Sequence, residues 1–339
     1  MSSRSGLLGL EVEILRAVHR AAGAGTARTH DVLLALDEAG VVGARAALTT
    51  VADLLAPWRR HLPLLTGEGN WGSPVGDPPA DPEHTGVGLS PYGELALAAE
   101  AGTTGPVPLG LVDGSWYRGG RRPPFPPLAV LAALRRRDGS DLHPRPPTGG
   151  TVTGDLDGLA AGRPVRLVVT ATAEVVRSGR QPEHPRGAPA DVPGLPGGWA
   201  VAAGRRVDPG GDRVVVTEVP YGITVDEVAE ELTSRAHRER SGDPEPRRRH
   251  LAGATPRPPR APGPVVDVVD RTDARHGVRV VCRVRPDADP EEARRWVLST
   301  RRLRVGLDAA LPAPLPALVT SWDAADGSGL AALGRLLDG

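Results

Sequence analysis

The chain has no lysine: its 41 basic residues are all arginine and stand against 41 Asp plus Glu, so the 339 residues carry no formal net charge. A dedicated nucleic-acid binder is marked by a basic excess, and this balance excludes a DNA-binding coat over the whole surface while leaving room for a local one. With 43 Gly and 36 Pro, the all-Arg usage reads as the coding bias of a GC-rich genome and carries little chemistry. Cysteine is nearly lacking too. The single thiol, Cys282, excludes an internal disulfide framework and a Cys-based zinc site. Its place in an alternating apolar run predicts a buried, inert group. Aromatic residues make up 3 %, so the cores are expected to consist of Val, Leu and Ala. No apolar run approaches the ~18 residues of a membrane span, the longest being Leu128 to Leu134. The opening Met1-Ser-Ser-Arg-Ser-Gly6 leads into an amphipathic pattern rather than a signal peptide, which predicts a cytoplasmic protein.

What is present suggests an α+β chain of about two domains. Leu7, Leu10, Ile14 and Val18 recur at helical spacing, and the Gly-rich AAGAG that follows should end that helix. Further short helices fit Thr29 to Glu38 and Ala44 to Leu55. Three such helices joined by small turns suggest a helix-turn-helix or winged-helix unit. From Gly67 to Pro82, Gly and Pro occur too often for regular structure, and an ordered functional loop is expected. A Pro- and Arg-rich stretch between about Pro106 and Gly150 marks a domain boundary, placed at 125/126. Beyond it the period changes from 3.6 to 2. Strands are expected over Val165 to Val176, Arg213 to Tyr221, Val265 to Val269 and Val278 to Arg285. Thr224 with Glu227, and Asp289-Pro290 with Glu292, have the spacing that opens helices. The segment 241–263 is a Pro/Arg-rich insertion.

The run Leu65-Thr-Gly-Glu-Gly-Asn-Trp-Gly-Ser-Pro74, then Gly76-Asp-Pro-Pro-Ala80, Thr85 and Leu89-Ser-Pro91, resembles the A subunit of DNA gyrase and topoisomerase IV, the type IIA DNA topoisomerases. Gly67, Gly69, Asn70, Gly72, Ser73 and Asp77 carry the likeness. It continues in Pro147-Thr-Gly-Gly150, Gly162-Arg163 and Val214 to Tyr221 (VVVTEVPY), reaching about Trp322. The resemblance implies a winged-helix domain over 1–125 and a tower-like α+β domain with a mostly antiparallel sheet over 126–339. The family's coiled coil, exit gate and C-terminal wrapping domain are expected to be absent. So is the segment whose isoleucine wedges between base pairs, because the chain runs from Pro124-Phe-Pro-Pro-Leu128 to Pro147 in about twenty residues.

In the family an Arg-Tyr pair does the chemistry, the tyrosine attacking a DNA phosphodiester and the arginine stabilising the charge that develops. Those positions are Glu83 and His84 here. A carboxylate repels phosphate, and a histidine nucleophile would need a further base and a cationic cradle. The resemblance therefore implies a non-cleaving protein that binds DNA or topoisomerase subunits. The alternatives are an active ATP-dependent type II topoisomerase subunit working with a B-type partner, and a modulator of host gyrase or drug-tolerance factor. No P-loop or acidic metal cluster is recognisable, so Mg²⁺ and ATP would enter only through a B-type partner. Double-stranded DNA, topoisomerase subunits and a second copy through the winged-helix domain are the partners considered, in the cytoplasm at the nucleoid, and no membrane.

Residues 1–100 hold 7 Arg and 12 Asp plus Glu, so the winged-helix half is acidic and the remainder basic. Candidate phosphate contacts are Arg28 and Arg45 near the expected recognition helices, Arg118, Arg121 and Arg122 near the boundary, and Arg294, Arg301 and Arg304 around the last helix. Arg59 and Arg60 are further cations of the first half. Trp116 and Tyr117 offer stacking surface or serve to pin a loop.

Overall fold

The computed structural model describes residues 4–116, 119–177, 211–241, 262–273, 277–323 and 327–338. The fold is mixed α+β and divides into two compact units: 1–169 with 306–339, and 170–305. The first unit opens with α1 (Gly9–Ala22), β1 (Thr26–Arg28), α2 (Thr29–Glu38), α3 (Ala44–Leu55), β2 (Leu65–Glu68) and β3 (Gly86–Leu89). Ile14, Leu15, Val18, Val32, Leu36, Ala47, Val51 and Leu54 supply its core, each at most 1 % exposed. Gly23 stops α1 with φ 57, a backbone conformation that residues with a Cβ rarely adopt. The three strands form an antiparallel sheet in the order β1-β3-β2, with Arg28 and Glu68 both opposite Gly86. All three helices expected in this stretch are present.

Next come α4 (Pro91–Ala101), α5 (Leu109–Val112), α6 (Pro127–Arg136), β4 (Thr151–Gly154), α7 (Leu156–Ala160) and β5 (Val165–Thr170). Ser90 caps α4: its Oγ accepts from Gly93 N–H at 3.1 Å and donates to Pro63 O at 2.6 Å. The expected boundary at 125/126 does not divide the units, since residues 126–169 stay with the first. The Pro-rich stretch is packed, not a linker. Pro123, Pro124, Pro144 and Pro146 are buried, Phe125 is 0 % exposed, and the backbone bonds Phe125 N–H to Val112 O and Arg145 N–H to Pro124 O measure 2.9 and 3.0 Å.

The second unit contains β6 (Thr172–Val176), β7 (Arg213–Glu218), α8 (Val225–Ser241), β8 (Val265–Asp270), β9 (Val280–Val284) and α9 (Pro290–Leu298). Its sheet is antiparallel in the order β6-β7-β9-β8. Alternate residues Val214, Val216, Val280, Cys282 and Val284 share one core with Val228 and Leu232 of α8 and Ala293 and Val297 of α9, so both helices cover the same face. The expected helix starts are present. Thr224 N–H donates to Glu227 Oε2 at 3.0 Å and Glu227 N–H to Thr224 Oγ1 at 3.3 Å. At α9, the Asp289 carboxylate accepts from the N–H groups of Glu291 and Glu292, both at 3.2 Å.

The single strand expected over Val165 to Val176 is two strands in two sheets. Ala171 separates them, its N–H bonded to Leu303 O at 2.9 Å. The apolar alternation runs unbroken through the switch, so period alone could not reveal it. The chain returns to the first unit through β10 (Arg304–Ala309), α10 (Leu315–Asp323) and α11 (Ser328–Asp338). There β10 completes a sheet ordered β10-β5-β4. Most of the insertion 241–263 lies outside the described residues, at 242–261.

Candidate interaction site

The segment between β2 and β3 is built on a few fixed bonds. Gly67 and Glu68 belong to β2, so the irregular loop starts at Gly69 and not at Gly67 as its composition suggests. Gly69 and Gly72 take φ of 86° and 88°. A Cβ on Gly69 would lie 2.8 Å from His84 O, and one on Gly72 would lie 2.6 Å from Asp77 O, so glycine is required at both. Asn70 Oδ1 accepts from Gly72 N–H at 2.9 Å, and Asn70 O accepts from Ala80 N–H at 2.9 Å. Ser73 Oγ donates to Asp77 Oδ2 at 2.6 Å. Trp71 is buried, its indole N–H shared between Glu68 O at 3.1 Å and Gly86 O at 3.3 Å. Of the six residues that carry the likeness, Gly69, Asn70, Gly72, Ser73 and Asp77 form the frame of an ordered turn, and Gly67 lies in β2.

That frame ends in a one-turn 3₁₀ helix, Pro82–His84, which holds Glu83 and His84 exposed. Neither side chain has a hydrogen-bond or ion-pair partner among the described residues. The turn is fastened to the start of α2. Thr29 N–H and Oγ1 donate to Thr85 O at 3.0 and 3.1 Å, and Thr85 Oγ1 donates to Thr29 Oγ1 at 2.9 Å. The β1–β3 register sets the Arg28 backbone opposite that of Gly86, which follows Thr85 at the end of the turn. Tyr92 does not serve it as a nucleophile: it is 7 % exposed and donates its hydroxyl to Leu336 O at 3.3 Å, and burial raises its pKa.

The arginine candidates are divided between the two units. Arg28, Arg45 and Arg121 are exposed in the first unit. Arg122 is half-buried and donates from Nη1 to Gly6 O at 3.3 Å. Arg294 pairs with Glu291 at 2.8 Å on α9. Arg301 and Arg304 are exposed in the second unit, beside Arg295, and none of the three has an ion-pair partner among the described residues. Arg118 and Tyr117 lie outside the described residues. Trp116 is 6 % exposed and donates its indole N–H to Asp308 O at 3.0 Å, so it pins a loop and offers no stacking face. Cys282 is buried as expected, its thiol pushed up to about 12 by burial.

A charged cluster in the first unit went unrecognised. Arg60 is 1 % exposed and bonds Glu11 through Nη1 and Asp113 through Nε, each at 3.0 Å. Leu8 N–H and Leu62 N–H satisfy remaining oxygens of the two carboxylates, at 2.8 and 3.3 Å. Burial raises the pKa of Asp113 against the pull of Arg60. Next to it, burial lowers the pKa of His61, whose Nε2 is 2.7 Å from Arg145 O. The signal was present: Glu11 falls on the α1 face that carries Leu7, Leu15 and Val18. A separate open groove of about 520 Å³ lies between α1 and α4, lined by Arg16, His19, Leu89, Glu94 and Leu97 among others. Among the described residues, no group of three or more His, Cys, Asp or Glu is arranged to hold a metal ion, and no helix is long and apolar enough to cross a membrane.

A comparison with protein-family models found none that matches the chain, and a comparison with curated proteins found no match either.

Proposed function

We propose that the chain is a non-cleaving relative of the type IIA topoisomerase A subunit, which acts by binding duplex DNA or topoisomerase subunits and not by breaking strands. The observation that carries this is the corner where the motif-bearing loop meets α2. It holds exposed Glu83 and His84 where the resemblance calls for an arginine and a tyrosine. Phosphoryl transfer depends on positioned positive charge around the phosphate. Here the turn itself presents a carboxylate, and among the described residues no second base bonds the imidazole.

The order α1-β1-α2-α3-β2-β3, with β3 between the other two strands, supports reading residues 9–89 as a winged helix whose wing is the Glu68–Gly86 loop. The antiparallel sheet under α8 and α9 supports a tower-like reading of the second unit. DNA contact is assigned to the exposed Arg295, Arg301 and Arg304. On this reading Mg²⁺ and ATP belong to a B-type partner. Titrating the chain with a fluorescent duplex, and separately with purified A and B topoisomerase subunits of the same organism, tests the reading. Saturable binding to at least one is expected, and binding to none at low salt overturns it.

A further inference from the structure

Three large aliphatic side chains stand out as exposed among the described residues, and two of them, Leu34 at 48 % and Val41 at 37 %, belong to α2 and the turn that ends it. Neither is exposed through fraying. Leu34 sits in mid-helix, and Val41 is fixed by a Schellman turn. Gly40, at φ 65, donates its N–H to Asp37 O at 2.9 Å, and Val41 N–H donates to Leu36 O at 3.0 Å. Helical spacing gathers Asp31, Leu34, Ala35 and Glu38 along one side of α2, with Asp37 and Val41 beside them, and all six are exposed. The turn bearing Asp81 and Glu83, both exposed, packs against α2 and extends the acidic border.

The cations of this region are Arg28 before the helix and Arg45 on α3, and His30 and His84 are its other titratable groups. Five carboxylates therefore face two guanidiniums. Asp31, Asp37 and Glu38 have no ion-pair partner among the described residues, so their charge is uncompensated within the unit. Such a surface repels the phosphates of a duplex. It is complementary to an apolar surface with basic residues at its border, since interfaces combine an apolar centre with matched charge around it.

We propose that this face of α2 docks a protein surface whose apolar centre is bordered by Arg or Lys. The proposal rests on reading the chain as an interaction protein and names the chemistry of the partner. A patch of two aliphatic side chains suits a weak, transient contact.

The test follows the methyl resonances of Leu34 and Val41 in the full-length, isotope-labelled chain. The probes are a synthetic amphipathic helix with Leu along one face and Arg at both borders, the same helix with Glu for Arg, and a short DNA duplex. The Arg helix is expected to shift both methyls and to bind at least about tenfold more tightly than the Glu helix, an advantage that falls as salt is raised. The variant Leu34→Gln/Val41→Gln should weaken the Arg helix by a similar factor while its unfolding midpoint stays unchanged. Shifts at α2 by the duplex, equal affinity for the two helices, or shifts confined to other elements would overturn the proposal. Binding of the Arg helix together with failure of every topoisomerase subunit and of DNA to bind would leave this docking face standing and remove the functional reading. Subunit binding untouched by the double variant would do the reverse.

Discussion

The two units use their arginines differently. The first carries 17 Arg against 21 Asp plus Glu, the second 24 against 20. In the first, several guanidiniums serve the fold: Arg60 neutralises two buried carboxylates, Arg4 donates to Ala99 O at 2.7 Å, and Arg122 reaches Gly6 O. In the second, Arg235 stacks 4.0 Å above the Trp296 ring and Arg302 bonds Glu227 at 2.6 Å, while Arg295, Arg301 and Arg304 stay exposed. A count of basic residues therefore overstates what the first unit can offer a phosphate backbone. The lesson is that net zero charge here is the sum of an acidic unit whose cations are partly internal and a basic unit with cations to spare at its surface.

The largest way to break this contrast is at Arg60. Removing one member of a buried ion cluster leaves an uncompensated charge, so Arg60→Met should cost about 3–5 kcal/mol of stability in urea unfolding. A cost under about 1 kcal/mol would mean that Arg60 is not an internal cation. Next in size is salt dependence. If the second unit supplies the phosphate contacts, Arg301→Ser and Arg304→Ser should each reduce the slope of log affinity against log salt by about 1, while Arg45→Ser leaves it unchanged. The opposite pattern would move DNA contact to α3.

The pH response should separate the units more gently. His61 has a lowered pKa in the folded state, so the unfolded chain binds its proton more readily, and the first unit loses stability as pH falls below the ordinary value of 6.5. The raised Asp113 acts oppositely, favouring the folded state at low pH and losing that contribution as pH rises through its folded-state value. Cys282, raised from 9.0 to about 12, makes the second unit lose stability as pH climbs above 9. Hydrogen exchange resolved by peptide should show His61→Gln flattening the acid limb in the first unit alone, and Cys282→Ala flattening the alkaline limb in the second alone.

Much of this was readable from local pattern. The helices α1 to α3 follow from apolar spacing, with glycines after α1 and α2 and Pro57 after α3, and the start of α8 follows from Thr224 and Glu227. What was not readable depends on residues distant in sequence. Glu11, Arg60 and Asp113 meet only in the folded unit. Trp116 is set by Asp308, 192 positions away, and the prolines of the 123–146 stretch are buried by contacts that composition cannot announce. The exposed corner at Glu83 and His84 was legible because it rests on a short motif with fixed turns.

Glu83 and His84 stand where the resemblance calls for an arginine and a tyrosine, and the proposed function therefore has the chain bind without breaking strands. The direct measurement is to incubate the chain with supercoiled plasmid, Mg²⁺, ATP and a B-type topoisomerase subunit, stop with denaturant, and look for protein covalently joined to DNA. The proposed function predicts no adduct and unchanged plasmid topology. An adduct that disappears in His84→Ala would contradict it.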